Sequence, residues 1–254
     1  MAIFKTGHFD QVGLKSAGKA KVLKDGRHEP IGFPRLLTAA SVPDLAVHLE
    51  PPPLDLAQSD KKWAVYLRKI KLLRNFEGFI ADFLKPTNQL YFISIAWDYS
   101  GQPPFVYPPQ KINPASVLIK MKPGNTRDFM GDGVGLWVPR KVIGALNVIL
   151  LIYENDENIR KTGELLVDIR DTVRSSQLAS LIVAISVNPA LATGVAIGAA
   201  VNELMGVIGS IMKKNQDDYV DMFEGTWGTD KKQNPAILKY KNEGSQIEIE
   251  FRTS

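Results

Sequence analysis

Read as alternating apolar and polar positions, the chain divides into strands on either side of one long helical region. KKWAVYLRKIKLL begins as a strand with Trp63, Val65 and Leu67 on one parity, then continues with Ile70 and Leu72 on the other. That change of parity predicts a bulge near Arg68–Lys69 in a bent strand. NQLYFISIAW (88–97) and ALNVILLIY (145–153) are apolar on both parities, so both faces of their sheet should be covered. Between them lie the turn-rich DYSGQPPFVYPPQ, the strand ASVLIKMK and MGDGVGLWVPR, whose GDG favours a turn with positive φ. SQIEIEFR alternates cleanly, with Ile247, Ile249 and Phe251 inward and Gln246, Glu248 and Glu250 outward, and reads as a half-exposed strand at an edge.

The helical region reads as a strand end, GELLVDI, followed by a helix from about Arg170 to Val187. Asn188 then caps a second helix that has Pro189 at its first position and runs over Ala190–Met212. At about 1.5 Å per residue this second helix is about 35 Å long. Gly194, Gly198, Asn202, Gly206 and Ser210 recur every fourth residue on one stripe that would let another backbone approach closely. Bulky apolar residues cover most of the remaining surface, the pattern of a helix buried in protein or in lipid. Burial is favoured by the sheet's need for a cover and by Asn202 and Glu203, which are costly in hydrocarbon. Lipid is favoured by the single charge between Arg174 and Lys213 and by the basic residues at both ends. Three readings stay open: a buried cover, an oligomer or partner interface, and a membrane-inserting hairpin of the kind a soluble pore-former stores.

At 254 residues with 44% hydrophobic and 23% charged residues, the chain has the composition of a folded protein with a sizeable core. It has no cysteine, which excludes disulfides, thiolate zinc sites, iron–sulfur clusters and a cysteine nucleophile. The N-terminus MAIFKTGHFDQV has no signal-peptide pattern, so a cytoplasmic location is the default expectation and non-classical export stays open. The whole net charge of +4 falls within the first 35 residues, and the remainder is balanced. Lys15, Lys19, Lys21, Lys24 and Arg27 therefore form a basic arm able to contact phosphates or acidic lipid headgroups, or simply to be solvated. EPPPLDLAQSD (50–60) closes that arm, leaving residues 1–60 as arm and linker and 61–254 as the main domain, with a helical insertion at about 170–214.

All three histidines, His8, His28 and His48, precede the main domain, which leaves that domain no imidazole for general base catalysis. GLKSAGKA misses the phosphate-loop pattern at its last position, where Ala20 stands in place of a hydroxyl. A nucleotide or nucleic-acid partner is not indicated. Among carboxylates Asp98 in AWDYSG is the first acid to inspect for a carboxylate-dependent hydrolase. Tyr99, Phe105 and Tyr107 form either a ligand platform or the covered end of the sandwich. Asp217, Asp218 and Asp221 read as residues of a helix-to-strand junction.

WAVYLRKIKLLRNFEG and QLYFISIAW resemble the first strands of a C2 β-sandwich, and NVILLIYENDENIRKTGELLVDI is similar to the passage that closes its calcium site. The resemblance covers about 130 residues. It implies a calcium site with Glu154 and Asp156 as the paired acids, Gly163 resuming the strand, and Glu77 and Asp82 contributing from the first loop. The first acid of the pair is Glu, and Asn158 and Lys161 stand where further aspartates belong. The expected architecture is mainly β with a helical insertion (α+β): a C2-like antiparallel sandwich carrying an apolar helical hairpin. The expected role is a non-catalytic binding or assembly module at a membrane surface or on a protein partner, homo-oligomers included. It needs no cofactor other than the calcium that the resemblance implies.

Overall fold

The computed structural model describes residues 3–7, 61–74, 87–109, 113, 116–155, 159–215, 217–229 and 237–253, with backbone alone for 3–7, 159–161 and 213–215. The chain order is β1 (Ile3–Gly7), β2 (Trp63–Leu72), β3 (Asn88–Trp97), β4 (Phe105–Tyr107), β5 (Ile119–Met121), β6 (Thr126–Asp128), β7 (Val134–Arg140) and β8 (Ala145–Glu154). Three helices follow, α1 (Ile159–Ser175), α2 (Gln177–Val187) and α3 (Gly194–Asn215), with a 3-10 turn at Pro189–Leu191 between the last two. The chain closes with β9 (Asp218–Gly228), β10 (Ile237–Lys241) and β11 (Ser245–Thr253).

The strands form two antiparallel sheets. One has six strands in the order β1-β9-β8-β3-β4, with β5 also on β3, and the other has five in the order β10-β11-β2-β6, with β7 also on β2. The sheets face each other across one apolar core, and the helices cover the far side of the six-stranded sheet across a second. This is a β-sandwich with a helical layer, a mainly β α+β fold. The two-sided strands are its centre: Leu90, Phe92, Val148, Leu150 and Ile152 point between the sheets, whereas Tyr91, Ile93, Ile149, Leu151 and Tyr153 meet the helices.

The expected bulge is present in β2, where the pairing with β11 passes from Glu248↔Lys69 to Ile249↔Leu67 and leaves Arg68 over. The turn at Gly131–Gly133 has φ of 63° and 83° at its two glycines. Gly133 also lies against the Leu67 carbonyl, 2.5 Å from where a Cβ would sit. In β11, Ile247, Ile249 and Phe251 are buried as expected, but β11 is not an edge, because β10 pairs along its outer side.

The helical region differs from the sequence reading in three respects. GELLVDI is helix, not strand, because Leu165, Ile169 and Val173 repeat every fourth residue and bury together against the sheet. The insertion accordingly begins at Ile159, not near Arg170, and contains three helices. Ala190–Met212 is not one continuous helix, because Asn188 caps only a 3-10 turn and Thr193 Oγ1 accepts the Ala196 N–H to open α3 afresh. Gly163, expected to resume a C2 strand, therefore lies inside α1. Ile3–Gly7 pairs with β9, so the start of the basic arm extends the sheet.

Candidate functional site

Two surfaces and one buried seam concentrate the chemistry of the molecule. On α3 the buried face is Ala200, Val201, Leu204, Met205, Ile208 and Met212. The small-residue stripe lies on the other side: Gly194, Asn202, Gly206 and Ser210 are exposed and Gly198 is half-buried. A Cβ built at Gly194, Gly198 or Gly206 would meet no atom within 4 Å, so packing within the described residues does not require these glycines. The connection between α2 and α3 forms an apolar tip, with Val187 and Val195 each 84% exposed and Leu191 beside them. No charged residue lies between Arg174 and Glu203. Over Gly194–Met212 the helix is long and apolar enough to cross a membrane, and 33% of that stretch is buried.

The seam lies at one end of the sandwich. The backbone register of β8 and β9 skips at Ile152/Tyr153, so Val220 is an extra residue and both it and Asp221 turn inward. Asp221 is fully buried, and its Oδ2 accepts the Ser245 hydroxyl at 2.6 Å, joining the two sheets. Burial pushes its carboxyl up to about 7, against the opposing pull of the Ser245 hydroxyl, the Gly244 and Ser245 amides and the Arg74 charge. Glu154 ends β8 opposite Asp218 in β9, is 1% exposed and accepts from the Asn88 amide. Next to them Tyr91 Oη donates to Asp217 Oδ2 at 2.6 Å, and burial together with the Asp217 charge raises the Tyr153 phenol.

Of the calcium set implied by the resemblance, Glu154 is thus a buried residue at a strand end, and Glu77, Asp82 and Asp156 lie outside the described residues. Among the described residues no group of three or more His, Asp or Glu is placed to hold a metal ion. Lys15, Lys19, Lys21, Lys24 and Arg27 also lie outside them. Asp98 organises its own turn: Oδ1 accepts the Ser100 N–H and hydroxyl, and Oδ2 accepts the Ile143 N–H. Phe105 and Tyr107 pack against the core, and the Tyr107 ring stacks on Phe92.

The outer face of the five-stranded sheet carries rows of charge. Lys239, Glu248, Lys69 and Asp128 alternate across four strands and are joined by contacts of 3.7, 3.8 and 3.5 Å. Arg68 and Arg252 share Glu250, and Arg252 also pairs with Asp132. Sequence reasoning missed Asp221 because the bulge hides its parity. It missed the charged face because it assigned the net charge to the first 35 residues, whereas the four acids of residues 36–60 offset that arm and leave the excess of four in 61–254. No protein-family model, curated protein or solved structure matches the chain, so a functional reading rests on these surfaces.

Proposed function

We propose that the chain is a non-catalytic binding or assembly module that presents its helical layer to a membrane surface or a protein partner. The observation that carries this reading is α3, an apolar helix of membrane-spanning length with only 33% of that stretch buried, ending in an uncharged tip with Val187 and Val195 exposed. Apolar tips of this kind on a soluble scaffold mark interaction sites. The interior glycines Gly198 and Gly206 fit the same reading, since each lowers helix stability by about 1 kcal/mol relative to alanine. No described atom packs against them. The C2-like part of the reading is that the sandwich acts as the rigid carrier of a membrane-facing element, with calcium as an added ligand.

A second reading takes α2 and α3 as a stored hairpin that leaves the sheet and inserts, as in a pore-forming protein; the length and composition of Gly194–Met212 favour it.

Flotation with neutral and anionic vesicles, with calcium or a chelator, combined with hydrogen exchange, tests both readings. Binding that resists high salt, with exchange changes centred on Leu178–Met212, is the expected result for a membrane partner. Insertion adds deprotection of Tyr91, Ile93 and Leu151 as the sheet loses its cover. For a protein partner, the paired substitution Val187→Asp and Val195→Asp abolishes complex formation while the fold is retained. A variant that keeps every interaction of the parent chain would sink the proposal.

A further inference from the structure

The main domain, residues 61–254, carries 24 Lys and Arg against 20 Asp and Glu, and the fold concentrates this excess. The three stretches that build the five-stranded sheet and its turns, 61–74, 122–143 and 237–253, hold thirteen Lys and Arg against five Asp and Glu. All five acids are already in ion pairs, with Arg68, Lys69, Arg74, Lys239 and Arg252. The eight remaining cations have no carboxylate within ion-pair distance among the described residues. Arg140 is not among the outward ones, because it pairs opposite the inward-facing Trp63 and its guanidinium lies buried over the Trp137 ring. The other seven gather at the two ends of β2: Lys61, Lys62 and Lys141 at one end, and Lys71, Lys122, Arg127 and Lys241 near the other. Lys241 and Lys71 lie in one row on either side of the uncharged Gln246. The compensating acids are inside: Asp98, Glu154, Asp217, Asp218 and Asp221 are all buried along the six-stranded sheet. The helical segment Ile159–Asn215 carries six basic residues against four acidic ones, so it does not share this excess.

We propose that the outer face of the five-stranded sheet, through its two lysine-rich ends, docks on an anionic lipid bilayer. The inference goes beyond the role of the helical layer and does not depend on it. Charge complementarity supplies the attraction, and three features select a bilayer over a nucleic acid. Six of these seven cations are lysines, point charges suited to a diffuse anionic surface, where arginine would favour bidentate phosphate contacts. The neutralised band between the two ends interrupts any continuous phosphate track of the kind a polynucleotide needs, whereas a two-dimensional surface reaches both ends at once. The aromatic ring on this face, Tyr66, lies beneath the Arg252 guanidinium, where it offers no stacking platform to a base. Over β2 the two ends are about 30 Å apart.

The test uses the full chain and vesicles of phosphatidylcholine with and without phosphatidylserine. Each lysine near an anionic surface is worth about a five-fold change in partition. The pair Lys71→Gln and Lys241→Gln is therefore expected to weaken binding about 25-fold, and Lys61→Gln with Lys62→Gln by a similar factor. Arg174→Gln, at the end of α1 on the far side of the molecule, should change it less than about two-fold at physiological salt, because it lies beyond a Debye length. The chain has no cysteine, so single labels are available: a polarity-sensitive dye on Thr126→Cys should respond to anionic vesicles, and one on Val195→Cys should not. Circular dichroism of each variant confirms the fold. Unchanged binding by the lysine variants, an equal loss in Arg174→Gln, or a response only from the Val195→Cys dye would overturn the proposal. The last outcome would leave the helical layer as the docking face. Binding of a duplex oligonucleotide with the same lysine dependence but no vesicle binding would also overturn it.

Discussion

Replacing Gly198 and Gly206 by alanine separates the folding role of α3 from its role as a surface. Both glycines lie within the helix with ordinary helical backbone, and a methyl group at either would enter open space. Alanine is better than glycine in a helix interior by about 1 kcal/mol, largely because glycine loses more backbone freedom on folding. The double variant should then be about 2 kcal/mol more stable, a rise of about 4–8 °C in Tm for a chain of this size. Urea or thermal unfolding followed by circular dichroism reads this directly. Destabilisation would refute the reasoning, since it would mean that another part of the chain packs against the stripe.

The same variant tests the use of the stripe. Where two backbones approach across glycines, methyl groups hold them apart, so a docking face should lose affinity as the fold gains stability. Stability and binding that move in opposite directions identify a surface kept for a partner. Stability that rises with binding unchanged would assign the contact to the tip at Val187 and Val195 and leave the stripe as a solvated face.

Asp221 should make stability depend on pH. Its folded value of about 7 stands above the ordinary 3.8, so the stabilisation from the protonated form is fully present below about 3.8 and is lost as pH rises through about 7. The interval corresponds to about 4 kcal/mol, and Asp221→Asn, which stays uncharged and can still accept from Ser245, should be more stable at pH 8 by an amount of that order. Urea titrations at pH 5 and pH 8 check this, and parallel pH dependence in parent and variant would refute it. Ile208→Ala removes a fully buried side chain between α3 and the sheet and should cost about 2–5 kcal/mol in a denaturant titration. Gly133→Ala combines a φ of 83° with a backbone oxygen 2.5 Å from the new Cβ and should cost about 1–3 kcal/mol, with exchange rising first at Val134↔Leu67. Glu248→Gln breaks exposed pairs with Lys69 and Lys239 and should change stability by at most about 1 kcal/mol.

Much of the sandwich was legible because strand periodicity reports coverage. Two strands with apolar residues on both parities implied a layer on each side, and Tyr91, Ile93 and Tyr153 do meet helices while Leu90, Phe92 and Ile152 meet the second sheet. The parity change in β2 marked the bulge at Arg68. The start of α1 was not legible, because a short apolar run such as LLVDI fits either a strand or one face of a helix, and only the contact of Leu165, Ile169 and Val173 with the sheet decides between them. The seam was hidden for a related reason. QDDYVDM shows its acids in a junction, and it takes the pairing of Ile152 with Asp221 and Tyr153 with Tyr219 to turn Asp221 inward.

The two surfaces point away from each other, and that constrains what one molecule can do at one membrane. The lysine-rich ends lie on the outer face of the five-stranded sheet, and α3 lies beyond the six-stranded sheet, about 20 Å farther across the layers. A molecule held by Lys71 and Lys241 therefore keeps Val187 and Val195 out of that bilayer and free for a protein partner or for a second membrane. A molecule that inserts α3 must turn its basic face to solvent, and binding should then resist salt. Binding that is abolished by salt while the α2–α3 tip still captures a partner would assign the sheet to the lipid and the helices to assembly. Salt-resistant binding with a dye response at position 195 would reverse the orientation and bring the inserting hairpin to the front.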